Sequence, residues 1–141
     1  MTPRVALGND FHMPSATTPG GQNLITLYQR GLAALQTVEH PCECGMAYFL
    51  FTVLHQFCFD GNKRTGRFMM NGVMMMHGWD AISVPASRAH AFNEKMVGFY
   101  TGRDGTEMMT FLYDCCPQDT PTPVNEPDHQ PDVDDSPSPG F

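Results

Sequence analysis

Positive charge is scarce in this chain: 8 Lys and Arg stand against 15 Asp and Glu in 141 residues, a formal net charge of -7. Phosphate backbones are held by clustered Lys and Arg, so the deficit argues against a nonspecific nucleic-acid binder and makes the position of each cation informative. Long apolar runs are missing as well. The most hydrophobic stretch, around Phe49, is interrupted by Thr52 and His55 and falls short of the roughly 18–20 apolar residues a membrane span needs. No membrane association is expected, and with no apolar targeting segment ahead of it a cytoplasmic location is. The 5 cysteines, Cys42, Cys44, Cys58, Cys115 and Cys116, are odd in number, which argues against a disulfide framework. They also lack the two-residue spacer of common zinc knuckles. No internal repeat is visible.

What is present suits one domain of ordinary size. Residues 1–21 show no sustained period, end in Thr17-Thr18-Pro19-Gly20-Gly21, and are expected to form an extended leader. Residues 117–141 are rich in Pro, Asp and Ser and are expected to form a disordered acidic tail. Between them, residues 22–116 read as helical.

From Asn23, apolar residues Leu24, Leu27, Tyr28, Leu32 and Leu35 recur at helical steps, predicting an amphipathic helix. Pro41 opens a second helix, with Glu43 favourable near its positive end. Its residues from Met46 to Leu54 are apolar nearly all round, which predicts a buried spine running to about Phe57. A third helix spans Lys63 to about His77, closed by Gly78. Pro85 and Ser87 introduce a fourth, broken at Gly102, and Asp104 to Glu107 resembles the capping box of a fifth. The 11 methionines, Met69, Met70, Met74, Met75 and Met76 among them, are expected to fill the core rather than bind copper. The fold class predicted is all-α.

Chemistry concentrates at Asp60-Gly61-Asn62-Lys63-Arg64-Thr65-Gly66-Arg67, where small residues, a helix start and cations meet. Gly61 allows close backbone approach, and the first amides of the third helix point at bound oxygens. Arg64 and Arg67, spaced on one helical face, can clamp phosphate oxygens, and Asn62 can hold the loop through side-chain bonds to the backbone. A carboxylate beside that site needs a bridging cation, so Asp60 is assigned to magnesium. The plainer reading of the same residues is a turn whose Asn62 caps a helix carrying solvated Lys63, Arg64 and Arg67.

The run from Asp60 to Arg67 resembles the signature of Fic/Doc-family proteins, His-Pro-Phe-x-(Asp or Glu)-Gly-Asn-(Gly or Lys)-Arg-x-x-Arg, and the likeness extends over about residues 22–116. The resemblance implies a compact helical bundle with the phosphate loop between two central helices, binding ATP and magnesium. It implies transfer of AMP to a Ser, Thr or Tyr hydroxyl of a target protein, with the motif histidine as base and Gly61, Asn62, Lys63, Arg64 and Arg67 around the nucleotide. Lys63, where AMP-transferring members usually have Gly, resembles the Doc-like branch, which transfers phosphate. No inhibitory helix of the family's (Ser or Thr)-x-x-x-Glu-(Gly or Asn) type is found, leaving room for a separate inhibitory partner protein.

The motif histidine itself is displaced. Four residues before Asp60 stands Gln56, and His55 is one residue too early. Without an insertion Gln56 occupies the base position; with a one-residue insertion His55 does, and it is taken as the candidate catalytic residue. One residue turns a helical side chain by about 100°, so the two registers are exclusive. The family's substrate-holding hairpin is expected at residues 9–21, which show no strand alternation.

Overall fold

The computed structural model describes residues 5–7 and 10–117. Its elements are β1 (Val5–Leu7), β2 (Asp10–His12), α1 (Gln22–Leu35), α2 (Pro41–His55), α3 (Asn62–Met76), α4 (Ala89–Gly102) and α5 (Thr106–Asp114). Short 3-10 turns at Pro19–Gly21 and Ala86–Arg88 lead into α1 and α4. The described chain is thus mostly helical, as its periodicity predicts, and no helix in it is long and apolar enough to cross a membrane.

Helix α2 is the spine. Pro41 sits in its first turn with Glu43, and Cys42, Met46, Phe49 and Val53 are almost wholly buried. Met70 and Met74 of α3, Phe92, Met96 and Phe99 of α4, and Met108, Phe111 and Leu112 of α5 complete the core around it. The closest pairing is α2 with α3, because two glycines leave room: Gly45 faces the Met70 backbone oxygen, and Gly66 faces Thr52 and Phe49. Helix α1 buries no residue fully. It leans on α2 through Tyr28 stacked on Phe51 at 6.3 Å and a Tyr28–Tyr48 hydroxyl bond of 3.1 Å.

Several expectations change. The leader is not simply extended: β1 and β2 pair antiparallel, with Val5 opposite His12 and Leu7 opposite Asp10. Three-residue strands are too short for period-two alternation to register, and tertiary contacts hold them instead. Val5 reaches the core, while His12 donates from Nε2 to the Leu54 carbonyl at 2.7 Å and rests against the Tyr100 ring. Helix α2 stops at His55, short of Phe57, because Gln56 turns left-handed at φ 50°. The capping box does not form. Asp104 accepts from the Thr106 amide at 2.9 Å, and Glu107 pairs with Lys95 at 2.9 Å rather than turning back. Of the methionines, Met70 and Met74 are buried, but Met69, Met75 and Met76 stand on the exposed side of α3. The expected acidic tail lies, from residue 118, outside the described residues.

Candidate phosphate-binding site

The loop between α2 and α3 is built by two amides. Gln56 closes α2 with its own N–H on the Thr52 carbonyl at 3.0 Å, and its side chain donates back to the Val53 carbonyl. Its Oε1 accepts from Asn62 Nδ2 at 3.0 Å. Asn62 in turn accepts the Cys58 amide at 2.9 Å and donates to the Cys58 carbonyl at 2.6 Å. Both side chains are buried, so their polar atoms need these partners, and the segment from 56 to 62 is drawn into one closed turn.

That turn aims the start of α3. Gly61 is left-handed at φ 75°, a conformation costly for residues with a Cβ. The first helical bond of α3 runs from the Thr65 amide to the Gly61 carbonyl at 2.9 Å, so the amides of Asn62, Lys63 and Arg64 precede it and carry the helix's partial positive charge. Asp60 accepts the Gly61 amide at 2.6 Å, and its other oxygen lies 3.8 Å from Arg64 Nη2 with both side chains exposed. A pair so long and solvated is weak, leaving both groups available to a ligand.

A pocket of about 490 Å³ opens over this turn, lined by Gln56, Phe59, Asp60, Gly61, Asn62, Lys63, Arg64 and Arg67 together with Val5 and Ala6 of β1. The structure therefore brings together every residue assigned from sequence to phosphate and magnesium. A second pocket of about 310 Å³ shares Arg64 and Arg67 and has apolar walls in Phe68, Met70, Ile82, Val84 and Leu112. The two arginines line both hollows, and Asn71 and Ser83 add polar groups to the second. Arg67 also lies 6.0 Å from the Phe92 ring centroid, a contact that steadies its head group.

His55 is not brought to this pocket; Gln56 is. His55 Nδ1 shares a hydrogen bond with Ser15 Oγ at 3.3 Å, and its ring meets Phe51 and Phe57. Desolvation pushes its pKa below the usual histidine value, and the nearby Arg103 and His12 push the same way, so at neutral pH the ring is uncharged. Arg103 itself is a left-handed residue after α4.

Asp60 is the carboxylate that lines this pocket. No group of three or more His, Cys, Asp or Glu side chains suited to a metal ion exists among the described residues. Magnesium needs only one or two carboxylates when phosphates supply its other ligands.

Sequence reasoning missed four features of this site. Val5 and Ala6 come from a segment with no period. Phe59, 65% exposed, was passed over as a motif neighbour. The apolar pocket is assembled from three separate stretches of chain, and Gln56 as the partner of Asn62 is visible only once the helix is seen to end. Comparison with protein families, with curated proteins and with solved structures finds no match to this chain.

Proposed function

We propose that this chain is a Fic-like protein that binds the triphosphate of ATP at the α2–α3 turn and, as it stands, lacks the base for group transfer. The observation that carries the reading is which of two neighbours reaches the pocket: Gln56 lines it, its amide bonded to Asn62, and His55 faces Ser15. A carboxamide cannot take a proton near neutral pH, and loss of a general base costs typically about 10²–10⁴ in rate while binding survives. The α3 amides with Lys63, Arg64 and Arg67 hold the phosphates, and Asp60 holds the magnesium, which would offset their charge. The adjoining pocket, where Phe68, Ile82 and Val84 stand beside Asn71 and Ser83, suits the base and sugar, since both hollows share Arg64 and Arg67. Among the described residues β1 pairs only with β2, which leaves an edge beside the pocket where a target or inhibitory segment could add as a strand.

The test combines ATP titration in magnesium with label transfer from α- and γ-labelled ATP to candidate proteins. The wild type is expected to bind ATP, Arg67→Ala to bind it at least about tenfold more weakly, and the wild type to transfer no label. Transfer gained in Gln56→His would show that only the base is missing. Transfer by wild type that disappears in His55→Ala would replace this reading with an active enzyme, the labelled phosphate telling AMP transfer from phosphorylation. No ATP binding at millimolar concentration would sink both.

A further inference from the structure

At the end of α2 remote from the phosphate turn, two thiols meet. Cys42 is the second residue of α2, and Cys116 follows α5 after one residue. They are 74 positions apart in the chain, yet their sulfurs lie 3.9 Å from each other in the buried interior. A sulfur this buried packs as a small hydrophobe. What the pair offers beyond packing is reach, since an S–S bond of about 2.05 Å needs less than two ångströms of approach, at a helix terminus and a chain segment free of regular structure.

We infer that Cys42 and Cys116 form a reversible disulfide by exchange with a small-molecule disulfide, fastening the start of α2 to the end of α5. Cys116 is the entry point, being 6% exposed where Cys42 is fully enclosed. Its thiolate attacks one sulfur of the small disulfide and expels the other as a thiolate, giving a mixed disulfide. Cys42 then attacks Cys116 Sγ, forming the protein disulfide and expelling the second small thiolate. The two protons leave with the two small thiols, and the protein loses two hydrogens while the reagent gains them.

The surroundings set the rate. Burial, followed by the proximity of Cys116, pushes the Cys42 thiol up to about 12, so its thiolate is scarce and the second step is slow. Cys115 is turned toward Arg88, accepting from its Nη1 at 3.3 Å. Cys44 donates to the Leu35 carbonyl, and Cys58 lies in the phosphate turn at the other end of α2. Of the five thiols, Cys42 and Cys116 are the two whose sulfurs stand in contact.

The consequence is stability. The bond would close a long loop in the unfolded chain, the case in which cross-linking gains most. The oxidised chain is expected to melt roughly 5–15 °C above the reduced one.

The test incubates the full chain with oxidised glutathione over several hours and follows intact mass, peptide maps without reduction, and melting temperature. Expected is a loss of two hydrogens, a single cross-linked peptide pair joining Cys42 to Cys116, a raised melting temperature, and full reversal by dithiothreitol. Cys42→Ser should stop at a glutathione adduct on Cys116, and Cys115→Ser should oxidise like the wild type. Because Cys42→Ser could unfold, Cys42→Ala is run beside it and circular dichroism checks the fold. The inference fails if Cys42 and Cys116 stay fully alkylatable after denaturation. It fails equally if the bond formed is Cys115–Cys116, or if the Cys42–Cys116 bond forms only in denatured protein.

Discussion

Two glycines ten ångströms or so apart on one helix should respond to the same substitution with opposite signs. A Cβ placed on Gly66 would lie 2.8 Å from Thr52 Oγ1 and 3.1 Å from Phe49 Cδ2. Neither neighbour can yield cheaply, because the Thr52 hydroxyl donates to the Phe49 carbonyl at 3.0 Å and the Phe49 ring is wholly enclosed. Alanine in a helix gains up to about 1 kcal/mol over glycine, while overpacking a tight core costs about 1–3 kcal/mol. Gly66→Ala is thus expected to lose about 1–2 kcal/mol net. Gly72 on the same helix has nothing within 4 Å of its would-be Cβ, so Gly72→Ala should gain about 0.5–1 kcal/mol. Urea unfolding of both variants beside the wild type reads the difference at constant m-value. If both shifts have the same sign, or if Gly66→Ala is neutral, α2 and α3 do not approach as described, and the turn they carry is not held where the site requires it. Since α3 must slide away from α2 to relieve the clash, ATP binding by Gly66→Ala should weaken along with stability.

Asn62→Ala removes the partner of the Cys58 amide, the Cys58 carbonyl and Gln56 Oε1; thermal melting should show a loss of about 2–3 kcal/mol, and a loss below about 0.5 kcal/mol would mean the turn closes without it. Tyr100 buries its hydroxyl with no hydrogen-bond partner among the described residues, and burial pushes its pKa up to about 12. Tyr100→Phe should therefore be neutral or stabilising by up to about 1 kcal/mol, and clear destabilisation would reveal a bonded hydroxyl. Burial holds the folded pKa of His55 below the usual histidine value, so the unfolded chain binds more protons there. Its contribution is complete above the unfolded pKa and is lost as pH falls from that value through the folded one. Stability measured across this window should fall less steeply in His55→Gln than in wild type; identical slopes would show that His55 is not desolvated in the fold.

What the sequence determined by itself was local. Helical apolar spacing placed the five α-helices of the described residues to within a few residues, since a period of 3.6 over ten or more positions leaves a plain trace. The turn at Asp60-Gly61-Asn62 was equally legible, because its glycine and amide side chain are neighbours in the chain and stand at the helix start. Gly66, part of the same run, was taken with that turn, though its use is to let α3 approach Phe49 and Thr52, a contact between residues far apart in sequence. The hairpin at Val5 to His12 was invisible for a related reason: its strands are held by the Leu54 carbonyl, Tyr100 and the core rather than by their own pattern. Which of His55 and Gln56 lines the pocket turned on a single left-handed residue, and a helix end is decided by which hydrogen bonds are on offer. With Gln56 left-handed and its amide bonded to Asn62, α2 stops, Gln56 joins the lining of the pocket over the turn, and His55 is left facing Ser15. Only the tertiary structure could make that selection, because both partners of the deciding bond acquire their positions from helices packed against each other.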